Sequence, residues 1–497
     1  MRKFLNWIIA LLLMAQGAWA QDATLIDGVY YLLNNEEKTA EVVAPKGFWY
    51  EGDIVVPDYV EQDGTAYAVT ALGEGTFMQS NLTSLQLPKQ TLRIIGPSAF
   101  SECRGLTAID IPEGVTRIGN YALGGDDFTR ISIPASVTEM GEAAVGSSPE
   151  LESVTVAEGN THFASFDGVL MDKAQTRLIC YPAKMAGKTY TVPATVTSFD
   201  RRAFQNLAFL TSVTIPASVS ELKYEMFYRA SSLEEINIDP ANTAYCSADG
   251  VVYTAEKDTL LVYPAGKTTK AYILDYPVKA IGPCAFSYAS HLQAVAIPEG
   301  VTTIREAAFY YFTSLRTVSF PESITKIGTD AFGDCVSLES IVLPPNLTEV
   351  SMILFFQCRL LRSVTIPAGV TSIGTTPFLG CDNLEEITCL ATTPPTVNRT
   401  TFLKMTPSQV TLYVPEEAVE TYKATPVWKD FNVQGITGTG ISEELRVKSE
   451  EGLARQPEGE SQSATATGWY DISGRRLDGK PSQHGIYVNG GRKVVIK

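Results

Sequence analysis

Stretches of this chain superpose on one another at steps of 22 to 24 residues. One register opens on a leucine, in Leu210-Thr-Ser-Val213-Thr-Ile215-Pro216, followed by Val219, Leu222 and Phe227. It recurs from Leu292, Leu315, Leu338 and Leu361, and the starts from Leu292 through Leu384 stand 23 apart. Leu82, Leu106, Phe128 and Leu151 open looser copies upstream. A unit of this length cannot bury its own apolar face, so it must stack on a copy of itself. The period therefore predicts a solenoid, and a solenoid is first of all a device for displaying surface.

With the leucine at position 0, apolar residues fall at 0, +3, +5, +9, +12 and +17. The copy at Leu315 reads Leu315, Val318, Phe320, Ile324, Ile327, Phe332 and then Cys335. Positions +3 and +5 share the two-residue period of a strand with one buried face. Proline at +6 (Pro216, Pro298, Pro321, Pro344, Pro367) offers no N–H to a ladder and ends that strand. Glycine after +12 (Gly119, Gly328, Gly374) is read as a turn. The Ala-Phe pair near +17, as in Ala331-Phe332, predicts a short helical turn that plugs the interior. The fold class that follows is β-rich: a parallel sheet of about thirteen coils at ~4.8 Å per coil, with short helical turns.

Two copies are longer. Leu151 to Leu210 and Leu233 to Leu292 each span 59 residues, and their extra segments match at an offset of 82. Asn160 aligns with Asn242, Asp167-Gly168-Val169 with Asp249-Gly250-Val251, and Tyr181-Pro182 with Tyr263-Pro264. Each segment reads as strand, polar turn, strand, and so predicts a β-hairpin insert projecting from the solenoid, near 157–189 and 240–271.

The pattern L-x-x-V-T-I-P-x-x-V-x-x-I-G-x-x-A-F-x-x-C resembles the BspA-like leucine-rich repeat of bacterial surface proteins of Bacteroidetes type. The resemblance covers about residues 51–435. The inserts around Asp167-Gly168 and Asp249-Gly250 are similar to inserts of that family, as is a closing unit over 389–435 with Leu412-Tyr-Val-Pro415, Tyr422 and Trp428. It implies a leucine-rich-repeat solenoid and an adhesin-like role in attachment to extracellular-matrix or other surface proteins.

The ends carry their own signals. Met1-Arg-Lys3, an apolar run from Trp7 to Met14 and Ala18-Trp-Ala20 predict a signal peptide over 1–20, cleaved between Ala20 and Gln21. Residues 21–50 are expected to form an N-terminal cap. No later run is long and apolar enough for a membrane span. The expected location is secreted, at the outer cell surface or in the periplasm. Residues 436–467 are polar and read as a linker. Residues 468–497 hold six bases and two acids, and alternation around Asn489-Gly490 predicts a small β tail. That tail is similar to short type IX secretion sorting domains, which leaves sorting, anchoring and a purely structural role all open.

A formal charge of −16 disfavours nucleic acid and anionic membrane as partners. Cys103, Cys335, Cys358 and Cys381 share one repeat slot with small apolar residues, so they are read as buried thiols and not as disulfide or metal cysteines. The three histidines, His162, His291 and His484, stand far apart in sequence, and no metal or catalytic motif includes them. Gly435-x-x-Gly438-x-Gly440 lacks the strand–helix context of a phosphate loop. No cofactor, no metal and no enzymatic activity are expected.

Two surfaces remain as partner-binding candidates. One is the pair of outward rows of the first strand, with Asp110, Thr214, Asn237, Ser319 and Thr365 at +4 and Arg130 at +2. The other is a set of tyrosines at +18 and +19, Tyr228, Tyr288, Tyr310 and Tyr311, beyond what a core needs. The partner expected is a protein, with extracellular matrix the first to test. A glycan, bound by a component of a surface nutrient-capture system, is the alternative. The chain is expected to be a monomer.

Overall fold

The computed structural model describes residues 23–436 apart from 126, 147 and 275, together with the backbone of four short strands between 469 and 496. The expected leader, with Ala20 and Gln21 at its end, lies outside the described residues, as does the expected linker beyond residue 436. The chain divides into two compact units, residues 1–250 and 251–497.

In the first unit an antiparallel meander of Thr24–Ile26, Val29–Asn34 and Thr39–Val43 opens the fold. Its last strand runs parallel to Thr65–Leu72, and the stack continues through the short strands Ile94–Ile95, Arg117–Ile118 and Glu139–Met140. These are the second strands of successive turns. The first strands form separate parallel sheets: Glu51–Val55 with Asn81–Gln86, then Ala108–Asp110, Arg130–Ile133 and Ser153–Val156, then Thr189–Thr191, Ser212–Ile215 and Glu235–Ile238. Pairing follows the repeat residue for residue, as in Ser212↔Glu235, Val213↔Ile236 and Thr214↔Asn237. The +3 and +5 side chains Val213 and Ile215 are buried, and Pro216 ends the strand.

The second unit repeats the scheme, from Ala271–Ile273 through Ser363–Ile366 and Glu386–Cys389 to Thr411–Pro415 and Asn432–Ile436. The solenoid therefore has about sixteen turns, not thirteen. Glu51–Val55, Thr411–Pro415 and Asn432–Ile436 are the additional ones, and none carries the leucine-to-proline signature. Around the last two, a short helix, Val419–Ala424, and 3-10 turns replace the usual second strand, which breaks the sequence period. Strands Trp469–Asp471, Arg476–Leu477, Gly485–Asn489 and Arg492–Ile496 pair antiparallel.

The expected helical turn at Ala-Phe is not helical. Alternate N–H groups there reach the next coil instead of the residue four back: Ala307 N donates to Thr329 O, Phe309 N to Ala331 O and Tyr311 N to Gly333 O, at 2.8–2.9 Å. Residues such as Ala307 (φ 52°), Tyr311 (φ 55°), Asp330 (φ 57°) and Asp334 (φ 56°) take left-handed conformations to aim those groups along the stack. The phenylalanines do plug the interior. Phe286, Phe309 and Phe332 stack face to face at 5.2 and 5.1 Å with interplanar angles of 4° and 3°. The stack ends edge-on against the buried Trp428. Cys335, Cys358 and Cys381 follow beside it, each Sγ donating to a carbonyl of the coil before: Phe309 O, Phe332 O and Phe355 O at 3.2, 3.0 and 3.1 Å.

Two further expectations change. Gly119 is not a turn residue that needs a left-handed φ. A Cβ there would lie 2.5 Å from Pro97 N and 2.7 Å from Gly96 C, so glycine is required because adjacent coils pack backbone to backbone. The inserts contain antiparallel hairpins, Val169–Asp172 with Arg177–Cys180 and Val251–Thr254 with Thr259–Val262, but these do not project. Arg177–Cys180 pairs in parallel with Ser198–Phe199, and Thr259–Val262 with Ala280–Ile281, so each hairpin supplies a second strand of the wall. Val169, Leu170 and Met171 are all at 0% exposure, as are Val251, Val252 and Tyr253, because both faces of these strands are covered.

Candidate functional site

The first-strand face of the first unit is open. Ala108, Arg130 and Ser153 align in one row and Asp110, Ser132 and Thr155 in the next, because the three strands pair without offset. Arg130 and Asp110 are exposed, on adjacent strands and two residues apart in register. Farther along, Thr214 and Asn237 are half-buried, and Asn237 Nδ2 donates to Ser212 Oγ at 3.2 Å. In the second unit Ser319 is exposed, but Thr365 is only 7% exposed between Val342 and Thr388 on the flanking strands. Thr365 is thus not available on a groove surface.

The tyrosines are more sheltered than the sequence suggested. Tyr288, Tyr310 and Tyr311 do come together, with ring centroids 4.8–6.1 Å apart. Tyr310 and Tyr288 are only 3% and 7% exposed, however, and Tyr311 is half-buried. The set is mutual packing beside the buried Asp334, whose carboxylate accepts the Tyr310 hydroxyl. Tyr288 and Tyr310 are therefore corrected from contact residues to core residues. Tyr228 belongs to the first unit, where its ring lies 4.9 Å from the Arg202 guanidinium. Around it Arg201 donates to Tyr224 Oη and to Glu225, and Arg202 to the other Glu225 oxygen, at 2.7–3.1 Å.

A concavity that sequence reasoning missed lies on the second-strand face of the first unit. It is a groove of about 690 Å³. Gly73, Gly96, Gly119 and Gly141 line it at equivalent places in four successive turns, packed so closely that an added Cβ would meet neighbouring main chain at Gly96 and Gly119, the Glu41 carboxylate at Gly73 and the Asn120 side chain at Gly141. At one end stand Glu41, whose carboxylate lies over Gly73, and the exposed Glu74. Burial raises the pKa of Glu41 above the usual carboxylate range. Ile94, 40% exposed, and Met140 supply apolar surface between the ends, beside the exposed pair Arg117–Glu139 at 3.7 Å.

At the other end are Phe163 and Arg177, both supplied by the insert. Arg177 Nη2 donates to Asp200 Oδ1 at 2.7 Å. Asp200 is 3% exposed and also accepts the Ala143 N–H. Burial pushes its pKa up, while Arg177 opposes that shift. The chain left one signal of this: Asp200 occupies the slot that Gly119 and Gly141 hold in earlier turns, as its N–H bond to Leu178 O (2.9 Å) matches those of the two glycines to Ile95 O and Ile118 O. Among the described residues no helix is long and apolar enough to cross a membrane.

The model for the BspA-type leucine-rich repeat region matches residues 69–166, 183–248 and 273–405, in six copies, together more than half of the chain. No curated protein matches. Among solved structures, the pneumococcal vaccine antigen PcpA is 20% identical, with 84% of this chain and 99% of that one covered and a TM-score of 0.45. A leucine-rich cell surface protein from Faecalibacterium prausnitzii is 26% identical, covering 77% and 97% with a TM-score of 0.44. A leucine-rich-repeat protein from Eubacterium ventriosum is 18% identical, covering 84% and 95% with a TM-score of 0.45.

Proposed function

The chain belongs to the BspA-type leucine-rich-repeat family, and from that premise we propose that it is an exported, adhesin-like binding protein that recognises an extracellular-matrix or other surface protein. The observation that supports this most is the open strand face of the first unit. Rows Ala108/Arg130/Ser153 and Asp110/Ser132/Thr155 give a flat, solvated, mostly uncharged display with one cation and one anion at fixed spacing. Such a surface suits a protein partner, because paired charges at fixed positions set register and on-rate while small hydroxyl side chains permit close approach. Half-buried Tyr228 and Tyr311 are secondary contacts in this proposal.

The test is binding of the purified protein to immobilised collagen, fibronectin and laminin. Saturable binding to one of them, weakened by Asp110→Ala with Arg130→Ala and suppressed by salt, is the expected result. Binding to none, or binding indifferent to those changes, overturns it. A glycan ligand is the second proposal, supported by Phe48 and Trp49 of the N-terminal cap, which are 52% and 39% exposed. Aromatic faces of that kind can stack on sugar rings, and a Phe48→Ser, Trp49→Ser variant on a polysaccharide array tests it.

A further inference from the structure

We propose that the groove on the second-strand face of the first unit binds an extended polypeptide segment of about six residues, with a carboxylate at the Arg177 end and a basic side chain at the Glu41–Glu74 end. The site is separate from the strand face above, so either can fail alone. The lining runs over five adjacent parallel strands, from Glu41 on Thr39–Val43 to Met140 on Glu139–Met140. Four spacings of ~4.8 Å make ~19 Å, and an extended chain advances ~3.3 Å per residue.

The chemistry selects the occupant. At Gly96 and Gly119 the Cβ position is already filled by main-chain atoms of the neighbouring coil, 2.5–2.9 Å away, so these glycines set the close packing of the groove floor and add no side chain to it. The ends are opposite in charge, and Arg177 is held in place by one oxygen of the buried Asp200, at 2.7 Å, while its own side chain stays 38% exposed. A guanidinium fixed by a partner behind it keeps its remaining N–H groups for a planar acceptor in front. Ile94 and Met140 offer apolar contact between the charged ends. The one aromatic side chain in the lining, Phe163, is 7% exposed, so no open ring is presented for sugar stacking, which favours peptide over glycan.

The experiment selects phage-displayed peptides of eight randomised residues on the immobilised full-length protein. Enriched sequences are expected to hold Asp or Glu and Lys or Arg five or six positions apart in one fixed order. Reselection on Glu41→Gln with Glu74→Gln should lose the basic preference and keep the acidic one. Arg177→Gln should weaken the selected peptides ~10-fold or more in fluorescence anisotropy. Because Arg177→Gln also strips a partner from buried Asp200, circular dichroism accompanies it, and the glutamate variant decides if that protein fails to fold. No enrichment, enrichment without the charge pair, or preferences that the Glu41→Gln, Glu74→Gln change leaves intact would overturn the proposal. So would glycan-array binding that the same change abolishes. Neither groove variant should alter matrix binding through Asp110 and Arg130, which separates failure here from failure of the adhesin proposal.

Discussion

Asn160 is the strongest single test of how the inserts are fastened. Its side chain is 1% exposed and uses all four hydrogen-bonding positions. Nδ2 donates to Pro134 O and Val137 O, both at 2.9 Å, on the preceding coil. Oδ1 accepts from His162 N at 2.9 Å and Phe163 N at 2.7 Å, at the start of the insert. Asn242 repeats the arrangement with Pro216 O, Val219 O, Ala244 N and Tyr245 N. At ~1 kcal/mol net per bond, Asn160→Ala should cost ~4 kcal/mol, more if the stranded main-chain groups stay dry. Asn160→Asp keeps both acceptor bonds but turns an oxygen toward two carbonyls. That environment raises the folded pKa of the new carboxyl, so the folded state holds its proton better than the unfolded state. The cost is then smallest at about pH 4 and grows as pH rises. Since coils contact only their neighbours, the damage should be local. Hydrogen exchange followed by mass spectrometry should show lost protection over 130–180 with 212–248 unchanged as the internal control. Native protection over 130–180 in both variants at pH 7 would refute the argument, and an Asn160→Asp protein unaffected by pH would refute its electrostatic half.

Burial and the neighbouring Asp334 charge push the Asp330 pKa up to about 8, so the folded state holds a proton that the unfolded chain releases near pH 4, and stability should fall from about pH 4 to about pH 8. Asp330→Asn should flatten that part of the melting profile and stabilise the protein at pH 8; an unchanged slope between wild type and variant would count against the buried pair. Gly119→Ala should cost ~1–3 kcal/mol, because its Cβ meets backbone atoms at 2.5–2.7 Å, whereas Gly159→Ala, with one neighbour at 3.4 Å, should melt like wild type. Burial holds the thiol pKa of Cys335, Cys358 and Cys381 far above neutral, so they should stay silent to a thiol reagent at pH 8 in the native protein, and all eight cysteines should react in denaturant without reductant.

What the sequence carried was whatever repeats. The register Val213–Ile236 and Val295–Val318 is legible because stacking pairs equivalent positions, so one period encodes every pair. The same logic hid the turns that do not repeat: Glu51–Val55, Thr411–Pro415 and Asn432–Ile436 obey the geometry of the stack without its motif. Conformation at the Ala-Phe corner was misread because isolated propensity favours a helix, while the neighbouring coil supplies better-placed carbonyls. Burial of Tyr288, Tyr310 and Thr365 is not legible for a related reason, since a position that the repeat places outside the core can still be covered by neighbouring coils.

Binding specificity on a solenoid has to reside where the repeat is broken, because a consensus position is already fixed by its two neighbouring coils. Asp200 shows how this works. Placed in a glycine slot, it cannot follow the close backbone packing of Gly119 and Gly141 without a reason to be there, and its carboxylate reaches Arg177 on the inserted strand instead. The insert is what brings that arginine and Phe163 to the end of the glycine-lined groove. One insertion and one broken slot thus convert a uniform wall into a groove with a fixed cation at one end and Glu41 at the other. Exchanging Asp200 for glycine alone would restore the repeat and release Arg177. If the groove has the polarity argued above, that change should abolish the acidic preference of its ligands while leaving the adjacent coils folded.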